Sequence, residues 1–63
     1  MKNFQCSLTF QNVETGVKVN FSFLINAKDD FQAQKNAFMI CAGHLDNVKN
    51  YGFIYSKIVE NAQ

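Results

Sequence analysis

Val19-Asn20-Phe21-Ser22-Phe23-Leu24-Ile25-Asn26-Ala27-Lys28-Asp29-Asp30-Phe31-Gln32-Ala33-Gln34-Lys35-Asn36-Ala37 is the stretch in which the chain changes its period. Up to Ile25 the apolar side chains recur at every second residue, the spacing of a strand with one buried face. From Asp29 onward they recur at three and four, the spacing of a helix. Asp29 can accept a hydrogen bond from a free amide of the first turn, and Gln32, three residues on, can reach back. The pair places the helix N-cap at Asp29.

Upstream, a second alternation runs from Phe4 to Phe10. Phe4, Cys6, Leu8 and Phe10 fall on one side and Asn3, Gln5, Ser7, Thr9 and Gln11 on the other. Asn12-Val13-Glu14-Thr15-Gly16 interrupts the pattern with residues suited to a turn, so the two runs form a hairpin. Its apolar face carries Val17, Val19, Phe21, Phe23 and Ile25 on the second strand. Lys18, Asn20 and Ser22 turn the other way, toward a mostly uncharged polar face.

Downstream, Ala33, Ala37, Ile40, Cys41 and His44 share one helical face, the expected core contact, and the small alanines allow close approach to a sheet. A second stripe, Phe31, Phe38 and Leu45, recurs at seven residues and widens the apolar arc beyond what three short strands cover. Gly43 weakens the helix near its end, and Asp46-Asn47 releases the chain into a loop. Tyr51-Gly52-Phe53-Ile54-Tyr55-Ser56-Lys57-Ile58-Val59 reads as a third strand from its aromatic and β-branched content. Its alternation is poor, with Ile54 and Ile58 on one face and Phe53, Tyr55 and Val59 on the other. Residues 60–63 read as a frayed end.

These elements specify an α+β domain of order β-β-α-β spanning residues 1–63, a three-stranded antiparallel sheet with one helix packed on one face. The strand order 2-1-3 places the most regular strand in the centre; the order 1-2-3 with a parallel pair is the alternative. With 48% hydrophobic residues, including seven Phe and two Tyr, the 63 residues hold the material for one thin core. Small cores often gain from self-association, and the wide helical arc leads us to expect a homodimer.

Composition narrows the function. Six lysines are scattered without a run, the net charge is +1 and Arg is absent. The side chain best suited to bidentate phosphate and guanine contacts is therefore missing. No signal-peptide pattern or membrane-length apolar run occurs, so a cytoplasmic location and no membrane partner are expected. Cys41 and His44 stand one helical turn apart and Cys6 can approach them, but a fourth ligand or an orienting acid is lacking. The two thiols therefore read as core side chains, with no catalytic residue, metal or cofactor expected. Asp29-Asp30 reads as a helix cap, not as a paired-acid site.

The run Val19-x-Phe21-x-Phe23-x-Ile25-x-Ala27-x-Asp29-x-x-x-Ala33-x-x-x-Ala37 resembles the strand-to-helix segment of small β-β-α-β proteins encoded by phages and mobile elements, among them some anti-CRISPR proteins. The resemblance implies an accessory protein or inhibitor in the host cytoplasm that occupies the surface of a larger protein or complex. The residues expected at such a contact are Phe31, Phe38, Met39, Leu45, Phe53 and Tyr55. A second reading is a single-stranded nucleic-acid binder, in which Phe53 and Tyr55 stack on bases beside Lys49 and Lys57.

Overall fold

The computed structural model describes residues 1–61 and contains β1 (Lys2–Asn12), β2 (Lys18–Ala27), α1 (Asp30–His44), a single 3-10 turn (Val48–Asn50) and β3 (Tyr51–Glu60). The three strands form one antiparallel sheet in the order β2-β1-β3, and α1 lies across one face. The molecule is a rod, 40 × 15 × 14 Å, because the strands are long and the sheet is narrow.

The hairpin closes through the turn chemistry of Asn12. Its side-chain oxygen accepts from the backbone N–H of Glu14 at 2.9 Å and of Thr15 at 3.0 Å, and its carbonyl accepts from Gly16 N–H at 2.8 Å. Gly16 has φ +77°, a left-handed conformation that a side chain resists. Val17 is left outside β2 and exposed, not on the core face that alternation alone assigns it. Past the turn the register is unbroken, from Gln11 opposite Lys18 to Lys2 opposite Ala27.

The even-numbered face of β1 is the floor of the core. Phe4, Cys6, Leu8 and Phe10 are buried there, and Ala27, Ala33, Ala37 and Cys41 close over them. Burying each large side chain contributes roughly 1.5–3 kcal/mol. The small residues of α1 face the central strand, so the helix sits close to the sheet. Asp29 is the N-cap, its carboxylate accepting from Gln32 N–H at 2.8 Å. Gln32 reaches back one residue further than a capping box requires, taking the N–H of Lys28 at 2.8 Å.

Three further expectations differ from the structure. Ile40 and His44 belong to the core stripe by spacing, yet Ile40 is 44% exposed and His44 is exposed. They overhang β2, an edge strand with nothing beyond it to complete the cover. Leu45 is not a helical stripe residue but the C-cap, where extended backbone turns it onto the core. Finally, the end of β3 is held: Glu60 approaches Lys2 at 3.8 Å and Asn61 N–H donates to Asn3 O at 2.8 Å. Positions 62 and 63 of the expected frayed end lie outside the described residues.

The weak alternation of β3 has a local cause. Tyr55 lies opposite Thr9 and Phe53 opposite Phe10, which leaves Ile54 as an extra residue, a β-bulge. The bulge resets the parity. Phe53 joins Ser56 and Ile58 on the helix side of the sheet, while Tyr55, Lys57 and Val59 stand on the open side. The strand therefore does not divide into the two sets that plain alternation assigns.

Candidate interaction surface

The helix carries bulky apolar residues on the side away from the sheet as well as at its flanks. Phe31 is 76% exposed, Met39 64% and Phe38 40%. Phe31 and Phe38 are two turns apart on one ridge, with Gln34 and Lys35 between them at three and four residues from Phe31. Together with Met39 they line a shallow groove of about 280 Å³. A second depression beside Phe31 is lined by Asp30 and Gln34 of the helix and by Ser56 and Ile58 of β3.

Phe38 has two roles. Its ring centroid lies 5.5 Å from those of both Phe10 and Phe53, and these two lie 5.5 Å from each other. Phe21 adds an edge-on contact to Phe10 at 6.1 Å. One side of Phe38 thus caps the core and the other continues the exposed ridge. Such tilted and edge-on pairs add about 0.5–1.5 kcal/mol each beyond area burial, so this ring is held firmly.

Of the six residues expected at a contact, the fold gathers Phe31, Phe38 and Met39 into one groove and sets Phe53 beside Phe38. Leu45 packs inward and Tyr55 stands on the opposite face of the sheet. Sequence spacing missed Gln34 and Lys35, which line the groove; their position between Phe31 and Phe38 on a helix is the signal that locates them. Spacing also assigned Ile40 to the core face, whereas it borders a separate groove beside β2.

Phe53 and Tyr55 point to opposite sides of the sheet, so they do not form one stacking platform. On the open side Tyr55 has Lys57 and Val59 on its own strand and a band of uncharged polar groups across the sheet. Asn20 Nδ2 donates to Thr9 Oγ1 at 2.8 Å, Ser7 Oγ at 3.2 Å and the Leu8 carbonyl at 3.3 Å. Gln5 Nε2 donates to Ser22 Oγ at 3.1 Å. Asn20 and Gln5 thus tie the polar side chains of β1 and β2 together laterally.

Cys6 and Cys41 are fully buried free thiols. Burial pushes both thiols up from the ordinary range, and Cys41 is raised further by the neighbouring Cys6. High thiol pKa values make poor nucleophiles at neutral pH. His44 is exposed, its ring centroid 6.3 Å from that of Phe21. Among the described residues no three of His, Cys, Asp and Glu gather where a metal ion could be held, and no polar side chain is buried. No helix among them is long and apolar enough to cross a membrane.

No protein-family model, curated protein or solved structure matches the chain.

Proposed function

We propose that this chain is a protein-binding module that acts by surface contact, without catalysis, and that its partner face is the outer ridge of α1 formed by Phe31, Phe38 and Met39. The observation that carries the reading is the exposure of Phe31 and Met39 on a helix whose core contacts are made by Ala33, Ala37 and Cys41. Large side chains stand outward and small ones inward, the reverse of what stability of the isolated domain favours. Contiguous apolar ridges of this kind, rimmed by polar residues, mark contact sites for other proteins. Gln34 and Lys35 supply the rim. The partner is expected to present an apolar groove or helix, and the chain to work as an accessory factor or inhibitor occupying that surface, in keeping with its resemblance to small phage and mobile-element proteins.

A photo-crosslinking residue placed at Met39, and separately at Thr9 on the open sheet face, tests this in the cells that make the protein. The expected result is a discrete protein adduct from position 39 that disappears when Phe31→Asp is added, and none from position 9. Adducts from position 9 alone, or adducts removed by nuclease, would overturn it.

A further inference from the structure

The outer edge of β2 is a second unpartnered surface, and its hydrogen-bonding phase can be worked out. Asn12 donates its backbone N–H to Val17 O at 2.8 Å across the start of the hairpin. The register then runs without a shift through Phe10 opposite Val19, Leu8 opposite Phe21 and Cys6 opposite Phe23. In an antiparallel ladder hydrogen-bonded pairs alternate with non-bonded ones. Odd-numbered residues of β2 therefore turn their N–H and C=O groups toward β1. The even-numbered ones, Asn20, Ser22 and Leu24 among them, turn theirs outward to an empty edge.

This edge lacks the usual protections. From Val19 to Ala27 no residue is charged, none is Pro and no bulge interrupts the strand. The side chains of Asn20 and Ser22 do not shield it, because their hydrogen bonds draw them toward β1. The other edge of the sheet is protected: β3 has the bulge at Ile54 and carries Lys57 and Glu60. The contrast also appears in packing. Val19, Phe21, Phe23 and Ile25 face the helix but remain only half-buried, and a groove of about 740 Å³ runs between β2 and the overhanging Ile40 and His44.

We propose that two copies of the chain pair through this edge, β2 against β2, antiparallel about a two-fold axis at Ser22. The occupant is a second copy because the strand is complementary to itself in that register. On the helix side Phe21 meets Phe23 and Val19 meets Ile25, so each of these pairs is apolar. On the open side Ser22 meets Ser22, Leu24 meets Asn20 and Lys18 meets Asn26, so no like charges oppose each other. A two-fold axis normal to the sheet leaves both helices on the same side. Ile40, which borders Phe21, Ser22 and Phe23 in the groove, then stands beside the axis and covers the seam. The result is a six-stranded sheet ending in two protected β3 edges. This contact uses none of the Phe31–Met39 ridge, so it stands or falls independently of that surface.

The test is a charge swap at the axis, read by sedimentation equilibrium at low salt with circular dichroism confirming the fold. The wild-type chain is expected to be dimeric at micromolar concentration. Ser22→Lys and Ser22→Glu, each placing like charges opposite one another, should each weaken association by about fivefold or more. An equimolar mixture of the two should recover it as a heterodimer, which only self-pairing of position 22 allows. A monomeric wild type at high micromolar concentration would overturn the proposal, as would failure of the mixture to associate. So would dissociation by Met39→Lys, which would move the contact to the helix ridge.

Discussion

The ring of Phe53 lies 5.5 Å from that of Phe10, on the side of the sheet that α1 covers. Tyr55, two residues further along the same strand, stands on the opposite side. On a regular strand residues two apart share a face. Ile54 separates them by adding a residue that no residue of β1 opposes. One inserted residue thus completes the aromatic cluster of Phe10, Phe38 and Phe53 at one end of the core while leaving a tyrosine on the polar face. The same insertion makes β3 a poor template for another strand, since a bulge twists and interrupts the edge.

Deleting Ile54 should therefore preserve the fold and change the assembly. Phe53 would still lie opposite Phe10 and Tyr55 opposite Thr9, because removing the unpaired residue restores a continuous ladder. The straightened β3 edge loses part of its protection. We expect the deletion variant to keep the circular dichroism of the parent and to form larger oligomers, seen by size-exclusion chromatography with light scattering. A variant that unfolds would show that the bulge is needed for the aromatic cluster, and one that keeps the parent's assembly would show that β3 is protected by its charges alone.

Phe31 and Phe38 share a helical ridge but differ in what lies beneath them. Phe38→Asp removes a ring that touches Phe10 and Phe53 and places a carboxylate against them. Loss of a large core aromatic costs about 3–5 kcal/mol, and since this ring is partly exposed we expect about half of that. Phe31→Asp replaces a ring that is 76% exposed and sits in the first helical turn, where negative charge is favoured. Its effect should lie within about 0.5 kcal/mol of zero. Urea denaturation of both variants checks the difference; equal losses would mean that Phe31 is covered in solution.

The fold was legible because its decisive signals are local. The alternation through Phe10, the turn at Asn12 to Gly16 and the cap at Asp29 each depend on a few neighbouring residues and on backbone geometry that tertiary context does not reverse. The strand order followed from the regularity of β1, which is buried through Phe4, Cys6, Leu8 and Phe10 because it lies in the centre. What spacing could not show was cover. Ile40 and Ala37 lie on neighbouring lines of one helix, yet one overhangs an edge strand and the other meets the central strand. Their burial is decided by sheet width, a property of the whole domain. The face of each β3 residue was also hidden, because a single unpaired Ile54 reverses the parity of everything before it. Four of the expected contact residues, Phe31, Phe38, Met39 and Leu45, were read from the helix and two, Phe53 and Tyr55, from the aromatic third strand; Leu45 left that set because the helix ends one residue earlier, at His44.

The cap at the start of α1 should be measurable by itself. Asp29 accepts from Gln32 N–H, and the Gln32 side chain in turn holds the N–H of Lys28. Asp29→Ala leaves an amide of the first turn without its partner and should lower stability by about 0.5–2 kcal/mol. Asp29→Asn keeps an acceptor and loses only the charge, so it should recover most of the loss. In thermal unfolding the alanine variant should melt several degrees below the asparagine variant. If the two melt together, the interaction of the charge with the helix end matters and the hydrogen bond does not.

The two buried thiols predict how stability depends on alkaline pH. In the folded chain both are raised by burial, and Cys41 is raised further by Cys6. In the unfolded chain each titrates near its ordinary value of about 8.5. Below that value both states hold the protons and the thiols' contribution is complete. As the pH rises through it the unfolded chain releases protons that the folded chain keeps, so stability falls until the folded thiols also ionise. Urea midpoints measured under reducing conditions should be level from about pH 6.5 to 8 and fall above that. The Cys6→Ala/Cys41→Ala variant should begin lower, through the lost volume, but decline clearly less over the alkaline range. Parallel decline of the two proteins would assign the alkaline sensitivity to other groups. In the same pH range a thiol reagent added to the folded wild type should react only as fast as the chain opens, because neither sulfur is accessible and neither is readily ionised.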